Sequence, residues 1–458
     1  MMIESKILDC KNNLFAFFQE KMTSLVEKSF ILKHIDEVVL FFITLTIFFS
    51  VFAESEKLGV FVLCVAILSF VKMFIKKGAK CRVFSWDVAL FVYFSICFIS
   101  TINSTLLPQS IHGFLKTVIY VFYYFSVANY FQTNQNRIRF VFMLVALLCT
   151  FESVIAIVQN LGGVEQIATW QDSNYINPED AISRAYGTLK PFNPNLLGGY
   201  LIAGLPFVLG SSLFFLVDRN FQKTLISTVA FLVCCLAIFA TGSRGAYLGL
   251  GAILLGSVVL LGFIIKTDFQ DNLKLKAIYN KVVTALAGLF VFVLIAVPKI
   301  TKRLLSIFIL RGDSSTSFRM NVYNSSWQMF CDNWFLGIGA GNQTFREIYG
   351  LYMLTGFDAL STYSVPLEIA VESGVLGLVA FVCFLMFFII KAFGFIKKVG
   401  AYELADKVII ASSILTILGV MVHGLFDTIY FRPQVQFLFW TMVAMAAGTI
   451  FKYTSREV

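Results

Sequence analysis

Apolar runs long enough to cross a bilayer recur along this chain from residue 38 to residue 451, and no other feature restricts its fold so tightly. A hydrocarbon core about 30 Å thick takes about 20 apolar residues in helical form. Backbone polar groups in lipid must pair internally, and runs of this length satisfy that as helices. Twelve spans are expected, near 38–53, 58–75, 87–102, 113–131, 140–159, 195–217, 224–240, 246–265, 279–297, 365–390, 408–428 and 434–451. Composition agrees: 58% of the 458 residues are hydrophobic and 14% are charged, where soluble domains carry about 25% charged residues. The expected fold class is all-α. It is a polytopic membrane helix bundle of about 12 transmembrane helices, with a large extracytoplasmic loop-helix cap between helices 9 and 10. Residues 1–36 read as a cytoplasmic N-terminal segment without the pattern of a cleavable signal peptide. Residues 37–458 read as the transmembrane domain.

The net charge of +9 does not point to nucleic acid. Lysines and arginines cluster in alternate loops: Lys72, Lys76, Lys77, Lys80 and Arg82; Arg137 and Arg139; Arg219 and Lys223; Lys266, Lys274 and Lys276; Lys391, Lys397, Lys398 and Lys407. Under the positive-inside rule these loops and both termini are cytoplasmic. The nine cysteines form no CxxC motif and no Cys/His cluster of zinc spacing, so neither a metal nor a cofactor is expected.

Two long connections, about 160–194 and 298–364, then face outward. They break the charge rule with Arg184 and Lys190 in the first, and Lys299, Lys302, Arg303, Arg311, Arg319 and Arg346 in the second. Arg244 joins them at the junction of spans seven and eight, inside "FATGSRGAYLGLG". Lipid phosphates or acidic neighbours such as Asp313 and Glu347 could account for some of these cations. An ionisable residue at the depth of Arg244 points to function. An anionic ligand suits it, because a guanidinium stays charged and donates in a fork. Gly242 and Gly245 allow close approach to the backbone, and a helix starting near Ser243 would turn its first amides toward an anion. Acidic residues near this face are Asp313, Asp358, Glu368, Glu372 and Asp427. Glu368 and Glu372 share a helix face at i, i+4, as a base, a cation site or partners of the arginines. Glu152, His423 and Asp427 are the clearest ionisable residues within spans, and His423 reads as a packed or hydrogen-bonded residue. The G-x-G-x-G of "WFLGIGAGNQTF" is a weak dinucleotide signal and reads as a tight turn at the outer face, where it could cradle part of a ligand.

With these residues placed, the chain resembles the O-antigen ligase/polymerase (WaaL/Wzy) superfamily of bacterial membrane glycosyltransferases. The carriers are "TGSRGAYLGL" at 241–250, "NWFLGIGAGNQTF" at 333–345 and "LEIAVESGVLGL" at 367–378. Within it the chain is similar to the IctB-like branch, often labelled a bicarbonate transporter family, through "SRAYGTLKPFNPNLLGGYL", "DSSTSFRMNVY", "LSTYSVPLEIAVESGVLGL" and "HGLFDTIYFRPQVQ". The resemblance covers about 180–440. It implies a multi-pass protein of the bacterial inner membrane that moves a glycan from a polyprenyl-pyrophosphate carrier to an acceptor hydroxyl on lipid or sugar, without metal. The arginine of the Ser-Arg-Gly-Ala motif maps onto Arg244, which the resemblance implies holds the pyrophosphate, supported by Ser243, Gly245 and Glu372. A loop arginine shares that role, as Arg319 or Arg311, and Arg184 joins the set.

One position departs from the pattern. Tyr363 stands where ligases and polymerases carry a histidine, and a phenol of pKa about 10 is a poor base at neutral pH. Glu368 or Asp358 would then take the proton, or Tyr363 only orients the acceptor, or the branch carries out no transfer. The alternative function is involvement in transport of bicarbonate or another small anion.

Overall fold

The computed structural model describes residues 29–52, 55–75, 82–163, 184–269, 271–296, 314–398 and 403–454. Every described element is helical. After a one-turn helix at Phe30–Lys33 come α1 (Ile35–Phe52), α2 (Ser55–Ile75), α3 (Ser85–Ile102), α4 (Leu107–Thr133), α5 (Ile138–Leu161), α6 (Pro194–Val217) and α7 (Phe221–Ala240). They are followed by α8 (Arg244–Asp268), α9 (Leu273–Ala296), α10 (Ser314–Asp332), α11 (Asn342–Tyr349), α12 (Val365–Lys397), α13 (Leu404–Gly424) and α14 (Pro433–Thr454). Ten of the described helices are long and apolar enough to cross a membrane. With α2 and α9, each of the twelve expected spans is a helix. The protein is a polytopic helical membrane bundle.

The apolar side chains are arranged for lipid. Phe91, Leu147, Leu232, Leu255 and Ile390 point away from the protein, as suits a bundle whose surroundings are as apolar as its core. α14 lies at the centre and is almost wholly buried, with α4, α6 and α13 against it. α3 runs along α12, α8 along α13, and α5 and α7 along α6.

α12 is not one straight helix. Gly374, at φ 67° and ψ −173°, interrupts it, and a break at this depth needs partners for the freed backbone groups. The segment 334–339 supplies them. Val375 N donates to Trp334 O at 2.7 Å, Ile338 N to Val371 O at 2.9 Å and Gly339 N to Glu372 O at 3.1 Å. A Cβ on Gly374 would lie 2.1 Å from Phe335 O. The glycines of "GIGAG" face protein: a Cβ on Gly337 would meet Glu372, one on Gly339 would meet Ser104 and Ser110, and one on Gly341 would meet Gly113. They let two backbones touch. α10 and α11 lie beside this docking strip over a small core of Val322, Met329, Ile338, Phe345 and Tyr349.

The structure corrects one expectation. The sequence carries the eleventh span to residue 428, but α13 ends at Gly424. Asp427 therefore lies in the turn before α14, where its carboxylate accepts from Asn195 at the start of α6 and the Thr428 hydroxyl pairs with Ser361. Residues 1–28, most of the first long connection, and Lys299, Lys302, Arg303, Arg311 and Asp313 lie outside the described residues.

Candidate functional site

The turn between α7 and α8 sets the site. Gly242 takes φ 62°, the left-handed region glycine adopts readily. Ser243 caps α8, its hydroxyl accepting from Ala246 N at 3.4 Å, and Thr241 Oγ1 accepts from Ser243 N at 3.2 Å. Arg244 is the first helical residue and is half-buried. Gly198 on α6 brings its backbone against this turn, since a Cβ there would stand 3.0 Å from Ala246 Cβ and 3.3 Å from Ser243 Cβ. On the other side, a Cβ on Gly245 would lie 2.5 Å from His423 Cδ2. The Ser-Arg-Gly-Ala motif is thus small-sided because helices press on it from both flanks.

A chain of polar contacts runs outward from this turn. Arg184 donates from Nε to Thr241 O at 2.9 Å and from Nη2 to Asn195 Oδ1 at 2.8 Å. Asn195 Nδ2 donates to Asp427 Oδ2 at 2.9 Å. The same oxygen lies 3.8 Å from Arg319 Nη2. The Arg319 guanidinium sits 5.6 Å from the centre of the Tyr363 ring, within cation–π range. Tyr323 OH then donates to Tyr363 O at 3.2 Å. Segments from residue 184 to residue 427 meet here in one line.

Local structure holds each member. Asn193 caps α6 by accepting from Asn195 N at 2.8 Å, and Pro194 opens the helix where its missing N–H costs nothing. The Arg184 loop is tied to α5. Glu152 accepts from the amide and hydroxyl of Thr188, and Gln159 Oε1 accepts from Tyr186 N and Gly187 N. Glu152, expected as an ionisable group deep in a span, is therefore a loop anchor.

Tyr363 adopts φ 55°, uncommon for a non-glycine residue and a form of stored strain found at functional sites. Its loop is pinned by Thr362 N donating to Glu368 Oε2 at 2.7 Å and by a 2.8 Å hydrogen bond between Ser361 and Thr428. Burial raises its pKa, Asp427 adds to the rise, and Arg319 and Arg432 oppose it. The phenol is therefore a neutral donor at physiological pH. Glu368 is buried at the start of α12, while Glu372 accepts from Gly341 N at 2.8 Å and so braces the glycine strip. Asp358 stands apart: it is 67% exposed, in a 3.5 Å ion pair with Arg346.

Sequence reasoning missed Asn195, Tyr323 and Arg432 as members of the site. Arg432 is half-buried in the turn before α14 and makes no ion pair among the described residues. It lay inside a quoted motif, as did Asn195, but nothing in the pattern singled out either one. His423 is fully buried, and neither ring nitrogen has a hydrogen-bond partner among the described residues.

The fold and site define a polytopic helical membrane protein in which arginines from separate segments join one polar line that starts at the Arg244 turn. Residues 229–382 match the O-antigen ligase family. The chain is also 24% identical over 282 residues to the teichuronic acid biosynthesis protein TuaE of Bacillus subtilis (strain 168), a match covering 57% of this chain and 52% of that protein. The match thus spans about half the length of that relative. Both findings make this chain similar to the O-antigen ligase/polymerase superfamily. The family match encloses the Arg244 turn, Arg319, Tyr363, Glu368 and Glu372, but neither Arg184 nor Arg432.

Proposed function

We propose that this protein is a membrane glycosyltransferase of the O-antigen ligase/polymerase type. It transfers a glycan from a polyprenyl-pyrophosphate carrier to an acceptor hydroxyl on lipid or sugar. The observation that carries this reading is the line from Arg184 through Asn195 and Asp427 to Arg319, which starts at the turn of Arg244.

In the reaction the acceptor oxygen bonds to the anomeric carbon of the glycan. The bond from that carbon to the diphosphate breaks, and the acceptor proton leaves to a base. Arg244, Arg184 and Arg319 hold the diphosphate as it takes up charge, and Arg311 contributes from the loop outside the described residues. Fixed donors aimed at a developing anion usually lower the barrier more than any other device a site of this kind has. Ser243 and Gly245 shape the turn, and Glu372 braces the strip behind it. Tyr363 orients the acceptor as a neutral donor. Glu368, bound to the Tyr363 loop through Thr362, and Asp358 at the exposed rim are the carboxylates proposed to take the proton. With the lysine-rich loops cytoplasmic, the site opens at the outer face of the bacterial inner membrane and both termini are cytoplasmic. The small-anion carrier reading gains nothing specific, because Glu152 anchors a loop and Asp427 lies in a turn.

Deleting the gene in the native host tests this reading. A rise in polyprenyl-diphosphate-linked glycan with loss of one surface polysaccharide is expected, restored by the wild-type gene but not by R244A. Unchanged lipid-linked and surface glycans would overturn it.

A further inference from the structure

His423 is a buried group at this end of the bundle whose chemistry the proposed transfer leaves unused. Its side chain is fully buried, and neither Nδ1 nor Nε2 has a hydrogen-bond partner among the described residues. A neutral imidazole carries one N–H donor and one acceptor, and burial leaves both unmet at a cost that lipid surroundings cannot relieve. Packing alone would be served better by leucine or phenylalanine.

Its position gives the imidazole a use. The ring lies directly against Gly245: a Cβ there would fall 2.5 Å from Cδ2 and 3.0 Å from Nε2. The Nε2 edge therefore abuts the first turn of α8. Within that first turn Ser243 Oγ takes up the Ala246 amide, in a long bond of 3.4 Å. Four residues beyond His423, in the turn before α14, Asp427 binds Asn195 and lies 3.8 Å from Arg319. The ring thus lies against the turn of Arg244, beside the polar line that carries Arg319.

We infer that His423 is a further anion-binding residue, donating its Nε2–H to a phosphate oxygen held at the Ser243–Gly245 turn, and that residue 245 is glycine so that the imidazole can reach it. This rests on the glycan-transfer reading for the source of the phosphate. The shared chemistry is a diphosphate, either lipid-borne or free.

The test uses the full-length protein purified in lipid nanodiscs, with geranylgeranyl diphosphate and inorganic pyrophosphate as separate probes. H423L is expected to weaken binding of both probes about tenfold or more, the loss of one hydrogen bond to a charged group. H423Q keeps a donor and is expected to stay within about threefold. The melting temperature of H423L should equal or exceed that of the wild type, because an unmet buried polar group has been removed. Unchanged binding in H423L, equal weakening in H423Q, weakening toward the lipid probe alone, or weaker binding with a lowered melting temperature would each overturn the assignment. R244A separates the two levels. If wild type binds and R244A weakens binding while H423L does not, His423 alone is wrongly assigned. If wild type binds neither probe, the glycan-transfer reading falls and His423 with it.

Discussion

The two ends of this bundle use charge in opposite ways. Where α1 starts and α14 ends, cations are closed into pairs. Lys72 meets Asp36 at 2.7 Å, Lys407 meets Asp268 at 2.6 Å, and Lys452 meets Asp406 at 2.8 Å and Glu403 at 3.1 Å. Arg139 pairs with Asp218. Lys407 also donates to Lys398 O at 2.8 Å, which stitches the start of α13 to the ends of α8 and α12. At the other end Arg319 stands 3.8 Å from Asp427, whose oxygen is already shared with a neutral amide, and Arg432 has no ion pair among the described residues. One end uses mostly lysine as a compact point charge. The other uses arginine, whose planar fork matches phosphate. Closed pairs hold helices together, while loosely compensated guanidinium groups keep their capacity for a ligand.

Two substitutions can break that comparison, and the largest effect is expected at the closed end. Lys407 is fully buried, and removing one partner of a buried pair costs about 3–5 kcal/mol. Lys407→Ala should lower stability by that order in a thermal melt, with transfer per folded molecule unchanged. An unaltered melt with lost transfer would reverse the roles assigned to the two ends. Arg244→Ala is expected to do the opposite. Loss of one fixed donor to a developing anion costs about 10²–10³ in rate, so transfer should fall by that factor while the melt stays in place. A melt lowered as far as in Lys407→Ala would make Arg244 a structural residue.

The bundle is far easier to read in the sequence than the site, and the ion pairs of the closed end are not read there at all. Twelve helices follow from apolar run length, because in lipid that length leaves few other solutions. The break at Gly374 does not, because an apolar run looks the same whether or not a second strip of backbone docks on it. Motif chemistry locates the Arg244 turn and names Arg184 and Arg319, because arginine in an apolar or outward segment is conspicuous. It gives no sign that Asn195 joins Arg184 to Asp427, since an asparagine near two prolines reads as turn chemistry. Asp427 reads as part of a span because the apolar residues before it hide where α13 ends. His423 reads as a packed or hydrogen-bonded residue; its burial matches the first, while neither nitrogen has a hydrogen-bond partner among the described residues.

Asn195 offers a smaller test of the open end. Its amide accepts from Arg184 and donates to Asp427, at 2.8 and 2.9 Å. Asn195→Ala should cost about 1–2 kcal/mol in transition-state binding, the scale of one or two hydrogen bonds between neutral and charged groups. That appears as about a five- to thirtyfold loss in kcat/KM, and Asn195→Asp should lose more, because a second carboxylate would face Asp427. If Asn195→Ala lowers the melt and spares kcat/KM, the polar line is scaffolding of the same kind as the closed end.

The smallest effect is expected at Tyr363, where its reason says most about mechanism. Burial holds the phenol above its ordinary range, with Asp427 pushing the same way and Arg319 and Arg432 pulling back. A phenol that keeps its proton through neutral pH can orient an acceptor but cannot deprotonate it. Tyr363→Phe should therefore reduce kcat by less than about fivefold and leave the shape of the rate–pH profile between pH 6 and 9 unchanged, whereas loss of a true general base costs about 10²–10⁴. The stability effect has a definite sign. Because the folded pKa is raised, the neutral phenol's contribution is fully present below the unfolded value of about 10 and is lost as pH rises through the folded value. Melts of wild type and Tyr363→Phe should keep a constant difference up to about pH 10, and above it the wild type alone should lose stability. A hundredfold fall in kcat for Tyr363→Phe, with the loss of a limb near neutrality, would make Tyr363 the base after all and would release Glu368 and Asp358 from that role.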